Sequence, residues 1–425
     1  MQIVELGPGL RGSLRDLPRF LTLPAFGHGA TAWLFAVTGP FLIFVNAAKQ
    51  GNLSTAEMNS WIFALYFFGG VFTLILALYY RQPIPAAGTI AGGVLVGVAL
   101  RHLTFSEAIG AYLLTGLFIT LLGATGVVKK GMELLPTPIM LGMVAGVLLP
   151  FGVGIIASLE KTPVVSGTAF LAFLVVSLAR PIARRFPAVL GAIVAGLLMA
   201  TWAGQANWQG LSVRLAQPIL FAPTFTLPAA LELVVPLAVT VIAIQNAQGI
   251  GILTNEGYKP PINAITIASG IGSLFMGIFG SQSACIAGPM TGIIASPTTG
   301  KHEGRYAAAV VTGVLWILFG LFAPVATGVS EILPSALINL LAGLALVGVL
   351  VSCFSAAFSG KFKMGALFTF MITTSGITLL NIGAPFWGLV GGTLISALLE
   401  PEDFREMLRA RKQRRRTGEN PLSPI

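Results

Sequence analysis

Charged residues are scarce in this chain. Lysine, arginine, aspartate and glutamate make up 9% of its 425 residues, whereas about a quarter is usual in soluble domains. Hydrophobic residues make up 55%, which excludes a water-soluble fold and is typical of a helical protein that crosses the membrane many times. The only cysteines, Cys285 and Cys353, are too few for a disulfide framework or a cysteine metal site. We therefore expect no metal and no organic cofactor.

Acidic and histidine side chains are missing from the middle of the predicted spans. Glu232 enters a span, but it lies about 20 Å from Gln245 along the helix, at roughly 1.5 Å per residue. His28 lies near the start of the first span, and His102 and His302 fall in loops. Without a nucleophile and base or a metal cluster inside the membrane, we do not expect an enzyme.

Twelve apolar runs are long enough to predict clear spans. They lie near 26–49, 60–80, 106–126, 138–157, 164–180, 187–203, 229–253, 262–279, 306–325, 334–353, 364–380 and 384–399. Two further segments, 82–100 and 281–298, are apolar but open with proline- and glycine-rich sequence. Counting both predicts fourteen spans.

The distribution of basic residues supports that number. With both termini in the cytoplasm, 21 of the 25 lysines and arginines fall on the cytoplasmic side, as the positive-inside rule requires. The exceptions are Lys49, Arg101, Lys161 and Arg214. The basic run at 409–416 is best explained as an anchor against anionic lipid, so the bilayer rather than nucleic acid is the expected partner.

The two halves of the chain resemble each other at an offset of 200 residues. Positions 45–92 and 245–292 share 12 identities in 48 aligned positions without a gap. Chance matching of glycine-rich helices is the alternative, but the two unusual segments, 82–100 and 281–298, fall on each other. Since seven spans is an odd number, the halves are predicted to have opposite orientations.

Each unusual segment is predicted to be half extended and half helical. Pro83 and Pro85 exclude a regular helix before Gly88, and Gly288 followed by Pro289 suits the start of a second helix. Both helices would begin near the membrane midplane, where their N-terminal N–H groups would favour an anion. The alternative is that these residues only kink two ordinary helices.

Amide side chains flank the predicted site. Asn46 lies in the first span, and Gln245 and Asn246 lie in the eighth. Amides can donate hydrogen bonds to a carboxylate without the cost of a buried charge, although they also join helices to each other. Apolar residues such as Phe41, Phe44 and Ile286 could contact an aromatic ring.

Three sequence motifs resemble the bacterial benzoate:proton symporter (BenE) family. They are Ile244-Gln245-Asn246-Ala247-Gln248-Gly249-Ile250, Gly257-Tyr258-Lys259-Pro260-Pro261, and the stretch from Ile286-Ala287-Gly288 to Ser296-Pro297. That family is similar in turn to uracil permeases and sulfate-permease-like anion transporters. The resemblance implies a fold of seven plus seven inverted spans, an elevator motion, a bacterial cytoplasmic membrane and a possible homodimer.

The resemblance also implies a division into domains. The expected parts are a cytoplasmic segment (1–25), a core domain (26–130 and 228–327), a gate domain (131–227 and 328–400) and a basic tail (401–425). Substrate would lie between the two broken spans, with residues of spans one and eight beside it. The expected binding residues are Asn46, Ala86, Ala87, Gly88, Gln245, Asn246, Ser283, Cys285, Ile286, Ala287 and Gly288.

The sequence therefore predicts a transporter that imports a small aromatic carboxylate such as benzoate together with protons. Nucleobase permeases are expected to carry acidic residues on spans eight and ten, and none lies at 281–292 here. A nucleobase or other small-anion permease of the same fold is one alternative, and an anion channel or a membrane scaffold is another. No residue stands out as the carrier of the proton.

Overall fold

The computed structural model describes residues 4–125, 136–179, 188–206, 208, 213–380, 382–407 and 409. The predicted cytoplasmic residues Lys129, Lys130, Arg180, Arg184 and Arg185 and the basic run after Arg409 lie outside these ranges. The first half contains α1 (Leu10–Phe20), α2 (Leu23–Gln50), α3 (Thr55–Tyr80), β1 (Ala86–Ala87), α4 (Ile90–Ala99), α5 (Phe105–Thr125), α6 (Thr137–Lys161), α7 (Pro163–Leu178) and α8 (Ala188–Trp202). The second half contains α9 (Leu227–Asn255), α10 (Ile262–Ile278), β2 (Cys285–Ile286), α11 (Gly288–Ile294), α12 (Tyr306–Leu321), α13 (Ala323–Ile332), α14 (Ser335–Phe358), α15 (Lys363–Thr374), β3 (Thr378–Leu379), β4 (Ile382–Gly383) and α16 (Ala384–Leu399).

The chain is a mostly helical membrane protein. Seven helices of the described residues are long and apolar enough to cross a bilayer. They are α2, α3, α5, α6, α9, α14 and the helix of residues His302–Leu321 that includes α12. Five further apolar helices, α4, α7, α8, α10 and α16, are shorter.

Two helices end earlier than the sequence suggests. The predicted span 306–325 stops at Leu321, and α13 begins after it with Pro324 in its first turn. Proline lacks an N–H and its ring clashes with the preceding turn, so α12 cannot continue through it. The predicted span 364–380 stops at Thr374, because Gly376 adopts a left-handed conformation (φ 65°) and a β-hairpin follows.

The N-terminal segment packs against residues that precede the two proline-interrupted segments. The Glu5 carboxylate accepts hydrogen bonds from the N–H groups of Asn263 and Ala264 at the start of α10 (3.1 and 3.0 Å). Asp16 of α1 pairs with Arg81 at 2.8 Å. Residues before the first span are therefore part of the folded protein, and they contain a helix that the sequence analysis did not predict.

Two groups of helices are distinguished by their packing. In one group α3 and α2 pack on α12, α10 packs on α5, and α4 packs on α2. In the other, α6 packs on α14 and α15, α15 packs on α16, and α7 packs on α8. The first group contains both β1 and β2, which position the candidate site.

Glycines permit the close helix crossings in the first group, and the repeat places two of them 200 residues apart. A Cβ on Gly70 of α3 would lie 2.4 Å from the carbonyl oxygen of Gly313 in α12. A Cβ on Gly270 of α10 would lie 2.5 Å from the backbone nitrogen of Thr120 in α5. Small residues thus allow backbone contact where lipid provides no hydrophobic drive for association.

We predict that Gly70→Ala lowers the apparent unfolding temperature in detergent, because the new methyl group must separate α3 from α12. Overpacking of this kind costs about 1–3 kcal/mol. Gly251→Ala is the matched control, since Gly251 is an exposed residue of α9 with no atom within 4 Å of a Cβ. The control is expected to be neutral or slightly stabilising, and equal unfolding temperatures for the two variants would contradict the close crossing.

Candidate binding site between the two halves

The two broken segments meet as a short antiparallel β-ladder. Ala86 pairs with Ile286 and Ala87 with Cys285. The N–H of Ala287 extends the contact by donating to the carbonyl oxygen of Pro85 at 2.9 Å. Each segment therefore provides hydrogen-bond partners for backbone groups of the other. Neither segment could satisfy these groups by itself, because proline interrupts its helix.

Hydroxyl groups from the neighbouring helices complete this pairing. Thr73 of α3 accepts a hydrogen bond from the N–H of Ala86 (2.8 Å), and Ser273 of α10 accepts one from the N–H of Ala284 (2.9 Å). Thr73 and Ser273 are 200 residues apart, so the two halves use equivalent side chains for the same purpose. The arrangement supports an internal repeat beyond sequence identity.

Asn246 holds the second strand from α9. Its side-chain oxygen accepts the N–H of Ile286 at 2.8 Å, and its amide nitrogen donates to the Ser269 hydroxyl at 3.0 Å. The preceding Gln245 is buried, and the Cys285 thiol donates to the carbonyl oxygen of Ala87 (3.2 Å). The Asn246 side chain is therefore already hydrogen-bonded to the strand.

Gln282 links the second broken segment to the first. Its amide nitrogen donates to the carbonyl oxygen of Thr89 (3.1 Å), and its side-chain oxygen accepts the indole N–H of Trp61 (2.8 Å). The Ser283 hydroxyl accepts the N–H of Thr89 at 3.4 Å. The start of α4 is thus fixed by residues of the opposite half.

Backbone donors remain at the starts of the two short helices. The Thr89 hydroxyl accepts the N–H of Gly92, but no hydrogen bond among the described residues uses the N–H of Ile90 or Ala91. At α11 the same holds for Gly288 and Met290 on either side of Pro289. Unpaired N–H groups at helix starts are suited to a negatively charged group.

The structure brings together most of the predicted site residues. Ala86, Ala87, Cys285 and Ile286 form the ladder, and Gly88, Ser283, Ala287 and Gly288 adjoin it. Asn46 is the exception, because it hydrogen-bonds to Asn339 of α14 and to Gln50, near the end of α2.

Of the apolar candidates for ring contact, Phe44 lies against α4. A Cβ on Gly93 would lie 2.5 Å from the Phe44 ring. Phe41 instead makes an edge contact with Phe319 of α12, with ring centroids 5.6 Å apart. Ile286 points towards α9, where a Cβ on Gly249 would lie 2.3 Å from its Cγ2.

The sequence placed Glu232 at the start of a span but did not predict its burial or its partner. Glu232 of α9 is 3% exposed and pairs with His102 at 2.9 Å. They are separated by 130 residues, and His102 was predicted only as a loop residue. The signal in the sequence was an acidic residue inside an apolar run, because such a residue requires a partner. The sequence did not show which residue is the partner.

The Gly257-Tyr258 motif has a structural role next to the site. Gly257 adopts a positive φ of 85°, and the Tyr258 ring stacks on His302 with centroids 3.9 Å apart. Burial raises the pKa of Tyr258 to about 12. Arg305 joins the same loops by pairing with Glu256 at 2.8 Å and by donating to the carbonyl oxygen of Ala295. The motif therefore connects the loop after α9 to the loop after α11.

These features define a polytopic membrane transporter in which two broken segments, one from each half, meet at a polar site. The chain belongs to the benzoate membrane transport protein (BenE) family, whose model matches residues 19–398. Members of this family are membrane transporters and not enzymes.

Two curated relatives match nearly the whole chain. The inner membrane protein YdcO of Escherichia coli is 32% identical over 378 residues, covering 88% of this chain and 96% of the relative. The benzoate membrane transport protein of Acinetobacter baylyi is 31% identical over 399 residues, covering 91% and 98%.

A solved structure shows the same fold. The transmembrane domain of the cyanobacterial bicarbonate transporter BicA superposes with a TM-score of 0.60 at 14% identity, covering 92% of this chain and all of that domain. At this identity the similarity concerns the fold alone.

We predict that Asn246→Leu destabilises the protein by about 1–3 kcal/mol, because the buried N–H of Ile286 loses its acceptor. Asn255→Leu is the matched control, since Asn255 is exposed at the end of the same helix. Thermal unfolding in detergent measures the difference. If both variants unfold at the temperature of the parent protein, Asn246 does not hold the strand.

Proposed function

We propose that this protein is a secondary transporter that imports a small aromatic carboxylate, with benzoate as the first candidate, together with protons. The observation that carries the proposal is the ladder of Ala86–Ala87 and Cys285–Ile286, beside which two helices begin with unpaired N–H groups. No Asp or Glu lies within 281–292, so an anion would meet donors and no repelling carboxylate there. The name of the Acinetobacter baylyi relative supports benzoate as the substrate.

We further propose fourteen membrane crossings, with both termini in the cytoplasm of a bacterium. Five apolar helices too short for an untilted crossing lie at predicted spans, among them α4, which continues an extended segment. An extended stretch of six residues adds about 20 Å at roughly 3.3 Å per residue. Such a segment and its helix together reach across a hydrocarbon core of about 30 Å. Both broken segments would then meet near the midplane.

An elevator motion of a core domain against a gate domain is part of the proposal. We assign the group of helices that carries β1 and β2 to the core, and the group built on α6 and α14 to the gate; the packing of the helices supports this division. Of the predicted binding residues, Asn46 contacts the gate group through Asn339. Movement of the core would carry the ladder and its bound anion as one unit. A homodimer stays a prediction.

Uptake of radiolabelled benzoate into proteoliposomes under an inward pH gradient tests the substrate and the coupling. We expect accumulation above empty vesicles at pH 7 or higher, where little neutral benzoic acid diffuses through the lipid. Bicarbonate and uracil serve as competitors, since the related fold is that of a bicarbonate transporter. Absence of benzoate uptake, or stronger competition by bicarbonate or uracil than by unlabelled benzoate, would contradict the proposed substrate.

We predict that Gly288→Leu abolishes benzoate uptake. A Cβ on Gly288 would lie 2.3 Å from the Gln248 side chain, so a larger residue blocks the start of α11. Gly292→Leu is the control, because Gly292 is exposed one turn later in the same helix and its Cβ would have no atom closer than 3.9 Å. We expect it to retain most of the uptake; similar uptake by both variants would remove the start of α11 from the site.

A further inference from the structure

A buried acid and a histidine form a pair away from the ladder. The Glu232 carboxylate lies 2.9 Å from the His102 imidazole Nε2. The side chain of Glu232 is 3% exposed and that of His102 is 23% exposed, so the histidine is the more exposed member of the pair. Nothing in the proposed binding of the carboxylate substrate uses these two residues.

The pair also contacts the other group of helices. The Glu232 carboxylate lies against the backbone of Gly383, which precedes α16. A Cβ on Gly383 would lie 2.3 Å from the carboxylate oxygen, so only glycine permits this approach. In the proposed division, Glu232 and His102 belong to the core domain and Gly383 to the gate domain. The carboxylate therefore lies where the two domains touch.

Few other titratable or charged groups face the pair. Glu107, at the start of α5, interacts electrostatically with His102 and is itself held by the N–H and hydroxyl of Thr104. Arg101 donates to Gln50 instead. Tyr112 is the other titratable residue of α5, and its Cβ faces Gly277 of α10. The sequences of α4 and α16, which also pack near Glu232, contain no titratable side chain.

The number of protons on the pair decides its net charge. With one proton shared between imidazole and carboxylate the pair is neutral, and without it the pair carries one negative charge. A buried charge that leaves its hydrogen-bond donors is costly, whereas a neutral hydrogen-bonded pair is much less so. Sliding of the core would carry the carboxylate away from Gly383 and along the apolar α16. The step is therefore favoured when the proton is bound and the pair is neutral.

We propose that His102 and Glu232 form a proton-binding site at the contact between core and gate, and that the bound proton permits the core to move. The inference rests on the proposed proton-coupled transport and supplies the proton-binding group that the substrate site lacks. The proton enters at His102, the exposed member, and leaves from the same pair after the movement. No bond other than that to the proton is made or broken.

The test compares two kinds of benzoate transport by Glu232→Gln in proteoliposomes. Counterflow exchange at equal pH on both sides requires only movement of the substrate-loaded core, whereas accumulation under a pH gradient requires the proton. Glutamine resembles the neutral carboxylic acid, so we expect exchange to continue and accumulation to fall at least tenfold. Glu303→Gln, at an exposed residue just before α12, is the matched control and should retain both.

His102→Gln provides an independent second variant. It keeps a hydrogen-bond donor for the carboxylate but removes the imidazole, so the carboxylate itself must take the proton. We expect its exchange rate to be below that of the parent protein at pH 7 and to recover as the pH is lowered. Exchange by either variant also shows that the protein has folded.

The possible failures can be told apart. If the parent protein exchanges no benzoate, the proposed function is contradicted, and the proton site is contradicted with it. If the parent protein accumulates benzoate and Glu232→Gln accumulates it equally, only the proton site is contradicted. If Glu232→Gln and His102→Gln both lose exchange as well as accumulation, the pair is needed for more than proton binding. That result would contradict the proposed proton site.

Discussion

The structure depends on how two interrupted segments satisfy their backbone hydrogen bonds inside an apolar protein. In hydrocarbon an unpaired N–H or C=O group costs several kcal/mol, so irregular backbone is tolerated only where protein or a polar cavity covers it. Here the first segment pairs with the second as Ala86–Ala87 with Cys285–Ile286. Thr73, Ser273 and Asn246 accept further N–H groups from the same segments. Without one segment, the backbone N–H and C=O groups of the other segment would have no partners.

This pairing also explains why the donors at the site are available. The hydrogen bonds of the ladder end just before α4 and α11, so the first N–H groups of those helices have no backbone partner. Gln282 and Ser283 fix the start of α4 from the opposite half. The carboxylate site that we propose would thus follow from the way the two halves are joined, and it would need no positively charged side chain.

The sequence predicts the positions of the helices well, because apolar runs and their breaks depend on local residues. The predicted spans 106–126 and 262–279 correspond closely to α5 (Phe105–Thr125) and α10 (Ile262–Ile278). The motifs also predict the family. The 200-residue offset predicts that residues near 86–88 meet residues near 285–288. The sequence does not predict the hydrogen-bond partners. Asn246 and Asn46 are equivalent in the repeat, but Asn246 binds a strand and Asn46 binds Asn339. The pairing of Glu232 with His102 likewise depends on tertiary contact between distant segments.

We propose that the substrate carboxylate binds beside the ladder. The most direct measurement is a crystal structure of the protein with 4-iodobenzoate, in which the anomalous signal of iodine locates the ring. The account predicts the carboxylate about 3 Å from the backbone nitrogens at the start of α4 or α11, beside Ala87 and Ile286. An iodobenzoate bound elsewhere in the protein, with the starts of both helices unoccupied, would contradict it.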